Sequence, residues 1–108
     1  MSFLQSLFGA RPDYTAQVRD ALAAGGRIVD VRQPHEFAGG HVPGALNIPH
    51  DAIAAGAKQL GAPTKPVILY CRSGARSSMA ARTLKGLGFT TVIDVGSMSR
   101  FPRAALGE

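Results

Sequence analysis

Pro66-Val67-Ile68-Leu69-Tyr70-Cys71-Arg72-Ser73-Gly74-Ala75-Arg76-Ser77 is the stretch on which the reading of this chain turns. The unbroken apolar run Val67 to Tyr70 has the pattern of a strand buried on both faces. Cys71, the single cysteine of the chain, closes that run and opens a short loop carrying two arginines and a glycine. Beyond the loop, Ser77 to Leu87 has helix-forming composition, with Gly88 as its stop. A buried strand, a tight loop and a helix N-terminus leave backbone N–H groups unpaired and pointing at one place, and the helix dipole favours negative charge there. A thiol at that point is expected to ionise readily, since helix N-termini and neighbouring arginines bring a cysteine pKa to about 3.5–7.5. The competing reading is a small buried hydrophobe, the usual fate of a free cysteine.

Working outward, helix-like and strand-like segments alternate. Pro12-Asp13 starts a helix with Tyr14, Val18, Ala21 and Leu22 on one stripe, stopped by Gly25-Gly26. Arg27 to Val31 reads as a short buried strand, and Gln33 to Phe37 as one helical turn with Pro34 near its first position, ended by Gly39-Gly40. Ala45 to Ile48 is a second strand, Asp51 to Leu60 a small-residue helix closed by Gly61, and Thr91 to Val95 the last strand. A terminal helix is expected around Ser99–Leu106. Strands separated by helices imply an α/β domain: a parallel sheet of about five short strands with helices on both faces. In such sheets ligands bind beyond the carboxyl ends of the strands, and Cys71 falls at one of these ends.

The 108 residues allow one domain, taken as 12–108, preceded by an apolar segment 1–11. That segment has no positive leader and is interrupted by Gln5 and Ser6, so neither a secretory signal nor a spanning helix is expected. Phe3, Leu4, Leu7 and Phe8 would share one helical face, suited to packing on the domain or a partner. The cytoplasm is the expected location, and a lone functional thiol also suits a reducing compartment. One cysteine rules out an internal disulfide. His35, His41 and His50 lack the spacing of a helical zinc pair, so no metal and no cofactor are expected. The net charge is +5, from nine Arg and three Lys set against seven acids. The positives are scattered with few aromatics among them, which speaks for attraction of small anions to the Cys71 loop and against nucleic acid.

Three blocks resemble the rhodanese family, over roughly Asp13 to Phe101. Asp30-Val31-Arg32, Glu36-Phe37 and Gly40-His41-Val42-Pro43-Gly44-Ala45-Leu46-Asn47-Ile48-Pro49 are similar to the family's D-V-R…E-F…G-H-I-P-G-A-x-N-I-P. Tyr70 to Ser77 is similar to its Y-C-x-x-G-x-R-S active loop. Val95-Gly96 and Phe101 stand where the family usually has G-G-x-x-x-W, with Ser97 for the second glycine and Phe101 for the tryptophan. The chain also lacks a clear first edge strand before Tyr14.

The resemblance implies a single-domain, thiosulfate sulfurtransferase-like fold and activity. Its chemistry also follows from the residues. Attack on a sulfane sulfur needs a thiolate and a positive setting for a dianionic donor. Cys71 supplies the nucleophile. Arg72, Arg76 and the N–H groups of the loop Arg72-Ser73-Gly74-Ala75-Arg76-Ser77 supply the setting, with Gly74 curling the chain into an anion nest. Arg76 is expected inside the ring and Arg72 toward solvent. Ser73 and Ser77 can add hydroxyl donors, Ser77 equally an N-cap. Asp30, Arg32, Glu36 and His41 are assigned structural support: an Arg32–Glu36 pair fixing the following loop, and His41 as a hydrogen-bonded anchor. The expected cycle moves sulfur from thiosulfate or a similar anion to cyanide or a thiol, small or on a thioredoxin-like protein, through a Cys71 persulfide. A monomer or homodimer without membrane attachment fits this reading. Two alternatives stand beside it: a carrier or regulatory module that holds sulfur without turnover, and phosphatase or arsenate reductase chemistry. The latter needs Cys-x5-Arg to encircle a tetrahedral oxyanion, whereas Cys71 to Arg76 is one residue shorter.

Overall fold

The computed structural model describes residues 12–108, and the apolar segment 1–11, with its Phe3, Leu4, Leu7 and Phe8 face, lies outside them. Four strands, β1 (Arg27–Asp30), β2 (Leu46–Asn47), β3 (Val67–Cys71) and β4 (Val92–Ser97), form one sheet in the order β2-β1-β3-β4. Every pairing is parallel. The sequence-based expectation was about five strands; the described residues contain four, and no edge strand precedes Tyr14 among them.

All five residues of β3 are buried, as a central strand covered on both faces requires. Alternation then sorts its side chains. Leu69 and Cys71 join Ile48, Ile53, Leu60, Ala80 and Leu84 in the core beneath helices α3 (Ile53–Gly56) and α4 (Ala75–Gly86). Ile68 and Tyr70 join Val18, Ile28, Val95 and Phe101 in the opposite core, beneath helix α1 (Thr15–Ala23). The short helix α2 (Pro34–Ala38) carries Pro34 at its start, as its fixed φ and missing N–H favour. Beyond α4, Gly88 N–H bonds to Lys85 O and Phe89 N–H to Leu84 O, each at 3.1 Å, turning the chain down into β4.

Two elements differ from the sequence reading. The span expected as one helix over 51–60 is a 3-10 turn (His50–Ala52), α3 and a second 3-10 turn (Ala57–Leu60). The terminal helix expected over 99–106 is two 3-10 turns, Met98–Arg100 and Arg103–Leu106. Pro102 separates them: it has no N–H to donate and pushes Phe101 into extended geometry (φ −60°, ψ 129°). Phe101 thereby drops into the α1-side core, with its ring at 5.8 Å and 72° to that of Tyr70.

Candidate active site

Cys71 ends β3, and the chain turns at once into α4. The turn is made at Gly74, whose φ of +104° is open to glycine and costly to other residues. It closes over β4, since a Cβ on Gly74 would lie 3.7 Å from the Cα of Gly96, itself at φ +81° beside a shift in the β3–β4 register. Ser97, standing where the family usually has its second glycine, has φ −77° and needs no glycine; its hydroxyl accepts from the Ser99 N–H. The positive φ belongs to Gly96 alone of the two.

The loop folds its polar groups onto sulfur. Gly74 N–H donates to Cys71 Sγ at 2.9 Å, and the thiol donates to Ser77 Oγ at 3.6 Å. The Ser77 hydroxyl donates to Gly74 O at 3.1 Å. A hydroxyl rotates to suit its partner, so its proton can swing to sulfur once the thiol has ionised. Burial pushes the Cys71 thiol up, while the Ser77 hydroxyl and the N–H groups of Ser77, Gly74 and Ser73 pull it down. The balance leaves it below the ordinary thiol value. Cys71 is fully buried, and the Arg72 and Ser73 that follow it are exposed.

The helix begins two residues earlier than the sequence suggested. Gly74 is the N-cap residue and Ser77, buried and third in the helix, is not. Its hydroxyl therefore serves the sulfur and the Gly74 carbonyl instead of capping.

The arginines also depart from expectation. Arg76, expected to close the anion ring, lays both terminal nitrogens on Glu36 of α2, at 2.6 and 3.0 Å. The Arg76 guanidinium, then the N–H of Gln33, hold the Glu36 carboxyl down to about 2. Arg72 is exposed and has no carboxylate partner among the described residues. It is the free guanidinium of the loop.

Nor does Arg32 pair with Glu36. It lies along Asp30, two residues back on the same face, with Nε at 3.0 Å from each carboxylate oxygen and its other contact at 2.7 Å. Asp30 is fully buried and also accepts the Arg32 N–H and the Tyr70 hydroxyl, the latter at 2.7 Å. Burial pushes the Tyr70 phenol up, and it stays a donor. Two bonds then suspend the Gly40–Val42 loop from this cluster: Arg32 to Gly40 O at 2.7 Å, and Val42 N–H to the Tyr70 oxygen at 3.0 Å. His41 stands on that loop, stacked on Phe37 at 3.6 Å with Nδ1 2.9 Å from Phe37 O. Asn47 ties the end of β1 through the carbonyls of Asp30 and Arg32.

Tyr70 and Asn47 had no role in the sequence reading. Tyr70 carried one usable signal: a phenol in an otherwise apolar buried strand needs a buried partner.

The family follows from comparison with known proteins. The model of the rhodanese-like domain matches residues 14–101, and the chain belongs to that family. The chloroplastic thiosulfate sulfurtransferase 16 of Arabidopsis thaliana is 36% identical over 100 residues, covering 81% of this chain and 82% of that protein. A putative sulfur carrier protein of Bacillus subtilis, YrkF, is 41% identical over 68 residues, 63% of this chain but 36% of the carrier. The chain thus spans between a third and just over half the length of the Bacillus subtilis relatives it matches. Among solved structures, the human single-domain sulfurtransferase TSTD1 superposes with a TM-score of 0.68 at 28% identity, covering 80% of this chain and 89% of that one. Relatives named sulfurtransferases make this a sulfurtransferase-family domain. No helix among the described residues is long and apolar enough to cross a membrane.

Proposed function

We propose that the chain transfers sulfane sulfur from thiosulfate, or a donor of similar shape and charge, to a thiol or cyanide through a Cys71 persulfide. The supporting observation is the convergence of the Gly74 N–H and the Ser77 hydroxyl on the sulfur of Cys71 at a strand end. The Cys71 thiolate attacks the outer sulfur of thiosulfate, the donor's S–S bond breaks, and sulfite leaves with the bonding pair. The product is Cys71–S–S⁻, whose new charge meets the same loop N–H groups and the N-terminus of α4. Cyanide or a thiolate then takes the outer sulfur and returns Cys71 as thiolate, a double displacement. Arg72 is the group left to steer a dianion toward the loop, since Arg76 is neutralised by Glu36. Asp30, Arg32, Tyr70 and His41 hold the neighbouring backbone and touch no reacting atom.

A thiosulfate:cyanide assay on wild type and Cys71→Ser tests this. Thiocyanate formation with parallel double-reciprocal lines, absent from the serine variant, supports it; turnover without Cys71 overturns it. The likeness to a putative sulfur carrier protein supports a second reading, a carrier that loads but does not turn over. That reading predicts a persulfide which neither cyanide nor thiols discharge.

A further inference from the structure

Charge in this chain is segregated. From Ala52 to Ile93 there are six cations (Lys58, Lys65, Arg72, Arg76, Arg82 and Lys85) and no acid, while the rest of the chain carries six cations and all seven acids. The stretch holds α3, β3 and α4, so the basic groups gather on the layer that carries the Cys71 loop. Of them, Arg76 alone has a carboxylate partner among the described residues. The carboxylates that bound the stretch in sequence are Asp51, on the 3-10 turn before α3, and Asp94 in β4, whose oxygen already accepts the Gly96 N–H.

The solvent side of α4 also carries apolar groups among its cations. Ser77, Ala80, Ala81 and Leu84 are buried, and the 3.6-residue period leaves Ala75, Ser78, Met79, Arg82, Lys85 and Gly86 exposed. Met79 and Leu87, 50% and 49% exposed, are the large hydrophobics left exposed among the described residues. Ala75 to Leu87 spans about 18 Å at the helical rise, a strip on the scale of the small interfaces of transient encounters. The strip starts at the loop that holds the sulfur.

We propose that α4 is a docking face for an acidic protein that presents its thiol to Cys71. Charge complementarity selects the partner's sign, and an exposed methionine and leucine among small residues select a protein surface over a phosphate backbone. This rests on the sulfur-transfer reading above, in that the docked thiol is the acceptor of the Cys71 persulfide.

The probe is a pair of cysteine-containing peptides, one rich in Glu and one with Gln at the same positions, offered to the thiosulfate-loaded protein, with 2-mercaptoethanol as the neutral small acceptor. At low salt the Glu peptide should discharge the Cys71 persulfide about tenfold faster than the Gln peptide, the lower end of electrostatic steering, and the advantage should fade with added salt. Arg82→Glu/Lys85→Glu should abolish the advantage and leave the rate with 2-mercaptoethanol unchanged. Met79→Asp should slow both peptides. Equal peptide rates in wild type, or an advantage that survives the charge reversal, overturns the docking face. So does stronger inhibition of the Glu-peptide reaction by a single-stranded oligonucleotide than by poly-glutamate, which assigns the patch to nucleic acid. Failure of thiosulfate to load Cys71 would instead strike the sulfur-transfer reading, and loading followed by discharge to 2-mercaptoethanol separates the two.

Discussion

Asp30→Ala should be among the most damaging single substitutions outside the loop. Asp30 is fully buried and accepts the Arg32 N–H, the Arg32 guanidinium and the Tyr70 hydroxyl. Its removal leaves Arg32, only 7% exposed, as a buried cation with the Gly40 carbonyl as its remaining partner. Breaking a buried pair in this way costs about 3–5 kcal/mol. Set against a total of roughly 5–15 kcal/mol for a domain, that is a large share. At roughly 4–8 °C per kcal/mol for a domain of this size, Tm should fall by at least about 12 °C. The same change leaves the buried Tyr70 hydroxyl, which still accepts the Val42 N–H, without an acceptor of its own. Urea unfolding at pH 7 of Asp30→Ala, Arg32→Met and the double variant completes a cycle. The double variant buries no unpaired charge and should be more stable than the summed losses by about 1–3 kcal/mol. A loss below about 1 kcal/mol for Asp30→Ala, or simple additivity, would refute the claim that this pair is an energetic unit.

Three further outcomes are expected. Because Glu36 is depressed to about 2 in the fold, the stabilisation from its pairing is complete above the ordinary carboxylate pKa and is lost as pH falls through about 2. Wild type and Glu36→Gln should therefore differ in Tm at neutral pH and converge in acid; a constant gap down to that pH contradicts the assignment. Arg72→Ala should lower kcat/KM for thiosulfate about two- to fivefold, more at low salt than at high, with Tm unchanged, as suits one exposed charge. Arg76→Ala should lower Tm because Glu36 loses its partner, and equal Tm values for the two variants would sink this division. An aryl phosphate should not be hydrolysed in a Cys71-dependent way, since the loop is one residue short of encircling a phosphoryl group.

The central strand and its nucleophile were legible because their signals are local. An apolar run of strand length, a cysteine at its end and a glycine-bearing loop before a helical stretch each follow from neighbouring residues. The Asp30–Arg32 contact was half legible, since residues two apart on a strand share a face. The Glu36–Arg76 pair was not, because it joins residues forty positions apart and nothing near either names the other. Sequence therefore handed Glu36 to the nearer cation, Arg32, which Asp30 already held. Ser77 was misread for a smaller reason. Gly74, able to take positive φ, starts α4 early and carries Ser77 past the cap and onto the sulfur. The C-terminal helix was drawn through Pro102, where the missing N–H and the extended Phe101 forbid it.

The central claim is that Cys71 carries the transferred sulfur. The most direct test is the intact mass of the protein after brief incubation with thiosulfate and removal of the excess. The expected result is a gain of one sulfur atom, located on the peptide containing Cys71, reversed by cyanide with release of thiocyanate, and missing from Cys71→Ser. An unchanged wild-type mass under turnover conditions, or the same gain in the serine variant, would contradict it.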